Sequence, residues 1–168
     1  MSRAFVKEQD AELADAGIVE RPQSSYPNYI TPQGLAQLKR QLDELRTRKE
    51  NLKVRGDHVS AMNQLAGVEA DLRFLEKRIS CAIPVDTAAS SGDDIRFGAR
   101  VELVDEHGGV HVFTIVGEDE VDAELGHISW ISPLGRELLG KKAGDEVKWQ
   151  RPAGALDLEI IRFTYRQE

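Results

Sequence analysis

Leu35-Ala36-Gln37-Leu38-Lys39-Arg40-Gln41-Leu42-Asp43-Glu44-Leu45 runs on through Lys49 to Leu52, with its key positions at alternating spacings of three and four. This is a heptad stripe, interrupted once by Lys49, whose aliphatic stem can lie along a seam while its amine reaches water. A second stripe follows at Ala61, Leu65, Val68, Leu72, Leu75 and Ile79. Between the two stands Arg55-Gly56-Asp57-His58, in which Gly56 can end one helix and Asp57 can begin the next. Two such helices joined by a tight turn bury each other's stripes only as an antiparallel hairpin. It is expected over residues 32–80, with Gly56 and Asp57 at its tip. The stripes alone leave open a projecting coil, a hairpin inside a globular core, or an oligomerising coil.

Upstream, Thr31-Pro32-Gln33-Gly34 opens the first helix. Thr31 is a good N-cap, and Pro32 falls at the first helical position, where its missing N–H costs nothing. Residues 1–30 read as an extension: a weak helical segment from about Ala4 to Ala16, then the linker Arg21-Pro-Gln-Ser-Ser-Tyr-Pro-Asn28. Gly67, inside the second helix, costs on the order of 1 kcal/mol against alanine, and nothing in the sequence explains it.

After Pro84 the period changes from helix to strand. Arg100 to Val104 alternates, Asp105-Glu-His-Gly-Gly109 turns, and Val110 to Val116 returns as a hairpin partner. His127–Ile131 is a third strand, and a short helix capped by Ser132-Pro133 ends at Gly140. Asp145–Trp149 and Leu156–Tyr165 close the domain across the turn at Arg151-Pro-Ala-Gly154. The fold class is therefore α+β, a helical coiled-coil hairpin followed by a small antiparallel sheet packed on one short helix. The expected divisions are residues 1–30, 31–83 and 84–168.

The net charge of −7 argues against a general duplex-DNA binder, which needs a cationic surface. Its distribution is uneven: residues 31–80 hold 10 basic and 7 acidic side chains, and residues 81–168 hold 9 and 17. The surplus of base lies on the first helix, where residues 31–55 carry 7 basic and 3 acidic side chains. One cysteine, Cys81, permits no internal disulfide and reads as a small core residue. With no apolar run near the roughly 20 residues of a membrane helix, the expectation is a soluble cytoplasmic protein. The histidines lack ligand spacing, Ser132 has no base beside it, and no Gly-rich phosphate loop is present. No cofactor, metal or catalytic residue is expected, and the chain is read as a non-enzyme.

Phe97-Gly98-Ala99, Ile115-Val116-Gly117-x-Asp119-Glu120, Ile128-Ser129, and Ser132-Pro133 followed by Leu138-Leu139-Gly140 occur in an order and spacing that resemble the bacterial Gre transcription elongation factors (GreA/GreB). Each motif alone has a local reading: glycines for turns, Asp119-Glu120 as a solvated loop, Ser132 as a cap. The resemblance covers Asn28 to Tyr165 and implies a C-terminal domain folded like FK506-binding proteins. It also implies core RNA polymerase as partner, docking near its secondary channel through Ser132 and Pro133, with nucleic acid met only inside the elongation complex. No membrane contact is implied.

Family members that stimulate transcript cleavage present Gly-Asp-x-x-Glu-Asn at the tip, whose two carboxylates can help hold a Mg²⁺ and orient the attacking water. Here the matching residues are Gly56-Asp57-His58-Val59-Ser60-Ala61, so Ser60 and Ala61 replace the glutamate and the asparagine. Against the family pattern the hairpin is also short by roughly two heptads in total, which at ~1.5 Å per residue sets the tip back on the order of 10 Å. The reading is a polymerase-binding elongation regulator without cleavage stimulation. Its alternatives are a cleavage factor that uses Asp57 and an adaptor that uses the coil to bind protein.

Overall fold

The structure, a computed structural model, describes residues 21–54, 59–87 and 92–165. The expected helix at Ala4–Ala16 and the tip residues Gly56 and Asp57 lie outside them. The described residues fall into two compact units, 21–26 with 36–81, and 27–35 with 82–165.

The first unit is the hairpin. Helix α1 spans Pro32–Val54 and helix α2 spans Val59–Ser80; at 1.5 Å per residue each is about 33–35 Å long. Leu38, Leu42 and Leu52 of α1 and Val68, Leu72 and Leu75 of α2 are all buried, so the two stripes share one seam. Arg46 pairs with Glu76 at 3.2 Å and Lys49 with Glu69 at 2.8 Å, so α2 descends as α1 ascends. The Lys49 amine thus ends on a carboxylate across the seam. Cys81 is exposed, against expectation. The seam steps from Leu75 to Ile79 in register with the heptads, and its next position is 82, so Cys81 falls off the stripe just past the end of α2.

The second unit begins with strand β1, Asn28–Ile30, which pairs in parallel with β2, Ala82–Pro84. Asn28, read as linker, is therefore a strand residue, and Ile30 is fully buried. Strands β3 (Ala99–Asp105), β4 (Val110–Val116), β5 (His127–Ser129), β6 (Glu146–Arg151) and β7 (Gly154–Tyr165) form one sheet. Their order is β5-β4-β3-β7-β6. The sheet is mixed where an antiparallel one was expected, because β5 runs parallel to β4. Residues 117–126 make this possible, since they bring the chain back to Thr114, midway along β4, before it enters β5. Strand β5 also stops at Ser129, two residues earlier than read.

Helix α3, Pro133–Leu138, ends before Gly140, which takes φ +81 and closes the turn. Leu134 and Leu138 on its inner side join Ile95, Val101, Leu103, Ile115, Val147, Leu158 and Ile160 in the core. The β3–β4 turn is held by Asp105, whose Oδ1 accepts from His107 N at 2.9 Å and Gly109 N at 2.8 Å. Its Oδ2 lies 2.8 Å from the His111 ring. That His111 contact, then the Gly109 amide, holds the Asp105 carboxyl down at about 2. No helix of the described residues is long and apolar enough to cross a membrane.

Candidate functional site

Two of the sequence motifs meet at one end of the sheet unit. Val116 and Ser129 face each other as the last residues of β4 and β5, and Trp130 N donates to Val116 O at 2.9 Å. Beyond β4 the chain enters a 3-10 turn, Glu118–Glu120; beyond β5 it turns into α3.

The start of α3 is built as its residues dictate. Ser132 is extended, at φ −62 and ψ 155, and its Oγ accepts from Gly135 N at 3.0 Å. Pro133 occupies the first helical position and is exposed. Gly135 lies under the β5 backbone so closely that a Cβ there would come within 2.3 Å of Ser129 O. Ser132 N donates to the same carbonyl at 3.0 Å. The exposed proline is thus carried on a corner pinned from both sides, and Ser132 spends its hydroxyl oxygen on the cap.

The turn before β5 corrects the reading of Asp119-Glu120 as a solvated loop. Glu120 is half-buried, and its Oε2 accepts from Thr31 N at 3.0 Å and from Gly117 N at 3.1 Å. Its Oε1 accepts from the Thr31 hydroxyl, whose oxygen in turn accepts from Gly34 N at 3.0 Å. One carboxylate therefore satisfies its own turn and the N-cap of α1, 89 residues away in sequence. Gly34 and Gly117 are the residues that admit it. A Cβ on Gly34 would lie 2.2 Å from Glu120 Oε1, and one on Gly117 would lie 2.2 Å from Tyr29 O. The Tyr29 ring completes the join, edge-on to Trp130 at 5.1 Å and 6.2 Å from Phe97.

Ser132 and Pro133 thus share one edge of the unit with the Glu118–Glu120 turn, the Thr31 cap and the Tyr29–Trp130 pair. Sequence reasoning named Ser132, Pro133 and the Thr31 cap but missed Glu120, which joins the Thr31 cap to the turn at Gly117. The only local signal was an acid three residues after Gly117, the spacing of a capping box. Of the tip motif, Val59, Ser60 and Ala61 fall within the described residues, all in α2.

Residues 89–165 match the family model described as "Transcription elongation factor, GreA/GreB, C-term". Among curated relatives, transcription elongation factor GreB of Neisseria meningitidis serogroup B (strain ATCC BAA-335 / MC58) is 35% identical over 153 residues, covering 82% of this chain and 94% of that protein. Transcription elongation factor GreA of Desulfovibrio desulfuricans (strain ATCC 27774 / DSM 6949 / MB) is 34% identical over 139 residues, 79% of this chain and 86% of that one. Among solved structures, GreA factor homolog 1 (Gfh1) of Thermus thermophilus is 25% identical and aligns with a TM-score of 0.41 over 83% of this chain and 99% of that chain. In the meningococcal alignment, 82% of 168 residues is about 138, so about 15 of the 153 aligned positions face no residue of this chain.

Proposed function

This chain belongs to the GreA/GreB family of transcription elongation factors, and from that premise we propose that it binds core RNA polymerase beside the secondary channel and does not stimulate transcript cleavage. The sheet unit would dock through the edge that carries Ser132 and Pro133, and the hairpin would enter the channel only part of the way. On this reading the protein regulates elongation by occupancy, is no enzyme itself, and works in the cytoplasm.

What supports the second half is the pairing of a hairpin short against the family pattern with an incomplete acidic tip. Ser60 stands where the family's cleavage factors place a glutamate, and a neutral hydroxyl cannot replace a carboxylate toward a hard dication. About 15 unmatched positions is the number that a hairpin short by two heptads would leave. Asp57 would then cap α2, the usual work of an aspartate after a helix-ending glycine.

The docking half is tested at Pro133. Its exposure and its place at the first helical position allow Pro133→Glu to fold, because an acid there also suits the helix N-terminus. Titrated against core polymerase, the variant is expected to bind at least tenfold more weakly than the parent, with an unchanged circular dichroism spectrum. Equal affinity would remove this edge from the interface.

A further inference from the structure

The two edges of the five-stranded sheet are unlike. Beside β5 the chain closes back on itself, with Asp122 N donating to His127 O at 3.2 Å and His127 N to Asp122 O at 2.8 Å. Strand β6 forms the other edge and is paired on one side only, with β7. Ile160 N donates to Asp145 O, one step before the Glu146–Glu159 pair, so Val147, Trp149 and Arg151 turn their backbone groups towards β7. Those of Glu146, Lys148 and Gln150 point away from the sheet, and no backbone hydrogen bond among the described residues takes them up. Arg151, at the end of this strand, is unpaired as well. Its guanidinium lies 5.1 Å over the Trp149 ring, makes no ion pair or hydrogen bond among the described residues, and has its Nε shut off from water. A half-buried cation of this kind lacks the anionic acceptor that would offset its lost hydration. Trp149 and Arg151 stand two residues apart and so on one face, with the Trp149 ring half-buried against the core.

We infer that β6 takes up an extended segment of another protein as a further strand of the sheet, and that this segment carries an acidic residue two positions from an apolar one. The backbone of the segment bonds to the outward groups of Glu146, Lys148 and Gln150. Its apolar side chain falls beside Trp149 and its carboxylate on the Arg151 fork, because residues facing each other across a ladder share a face. A second copy of this chain fits the edge poorly. Its own acid on the face of Arg151 is Asp145, which already accepts from Lys142 N at 2.8 Å. Pairing that acid with Arg151 of another copy would also set Lys148 of one directly opposite Lys148 of the other. Strand β6 lies at the opposite edge of the sheet from β5, which leads into Ser132 and Pro133, so its occupancy stands apart from the polymerase reading above.

The test adds the peptide acetyl-Glu-Thr-Val-Thr-Val-Lys-amide to the full ¹⁵N-labelled chain and follows amide hydrogen exchange. Antiparallel addition places its glutamate opposite Arg151 and its first valine opposite Trp149. Exchange at Glu146, Lys148 and Gln150 is expected to slow about fivefold or more, while Val147 and Trp149, already bonded to β7, change little. The Trp149 indole signal is expected to shift and that of Trp130 to stay. Replacing the peptide's glutamate by glutamine is expected to weaken binding about tenfold, as is Arg151→Gln in the protein. The peptide pair reads this without altering the fold. Lys148→Pro removes the central outward N–H, which the β7 ladder does not use, so the sheet is expected to persist and peptide binding to be lost. Unchanged exchange at about 5 mM peptide overturns the inference. Equal binding of the glutamine peptide overturns the acidic partner, and protection that grows with protein concentration alone overturns it in favour of a second copy.

Discussion

Glu120 is the residue on which the start of α1 and the turn after β4 both depend. Hydrogen bonds to a charged group contribute about 1.5–3 kcal/mol each, less where water competes. Glu120→Ala removes three acceptor contacts at once and is expected to destabilise the sheet unit by about 2–3 kcal/mol. Glu120→Gln can keep one oxygen on the Thr31 and Gly117 amides and turn its NH₂ to the Thr31 hydroxyl, so it should lose less than half of that. Urea unfolding followed by tryptophan fluorescence reads this unit alone, because Trp130 and Trp149 are the chain's two tryptophans and both lie within it. Equal losses in the two variants would show that geometry does not matter there. Asp105 supplies the pH dependence. Its carboxyl titrates near 2 when folded, against an ordinary value of 3.8, so the folded state favours the ionised form. That contribution is present in full above about pH 4 and is lost as pH falls through about 2. In an NMR titration, a midpoint near the ordinary value would mean that the His111 contact is absent in solution. Asp105→Asn should remove this part of the acid dependence.

Glycines within the elements separate two kinds of sequence signal. Gly67 lies in α2 with nothing within 4 Å of where a Cβ would stand, and its helical backbone suits alanine. Gly67→Ala is expected to stabilise the hairpin by about 0.5–1 kcal/mol, through helix propensity and a less flexible unfolded chain. It should raise the midpoint of a melt followed by helical ellipticity, and a lower midpoint would reveal a contact that requires glycine. Gly135, in α3, is the opposite case. Its Cβ would meet the Ser129 carbonyl at 2.3 Å, so Gly135→Ala should push α3 off β5 and destabilise the unit. Both residues look alike in the sequence as helical glycines. Only the backbone of another element tells them apart, and a one-dimensional pattern does not contain it.

At the scale of the whole molecule, reach and charge act together. On the proposed reading the tip is held back on the order of 10 Å, and with a metal–oxygen bond to Mg²⁺ of about 2.1 Å it would not make one whatever residues it carries. In a backtracked elongation complex with end-labelled RNA, the parent is expected to release no short 3′ fragments. Ser60→Glu alone is expected to leave that result unchanged. The parent should nevertheless inhibit a full-length cleavage factor in trans by competing for the channel entrance. Prompt cleavage by the parent, lost in Asp57→Ala, would make the tip catalytic and overturn this reading.

The helices and the strands with local periodicity were legible in the residues themselves. Heptad spacing, Thr31-Pro32 and Ser132-Pro133 caps, and the Asp105–Gly109 turn all act within a few residues, so composition and order determine them. The parallel placement of β5, the β1–β2 pair and the Glu120 clamp were not legible. Each joins backbone or carboxylate groups far apart along the chain, and local propensity is silent on which distant partner a strand or an acid will meet. The tertiary structure decided those, because a buried or half-buried polar group must find its partner wherever the fold brings one. Cys81 shows the same division on a smaller scale. Its type pointed to the core, but its place one residue off the stripe put it in solvent.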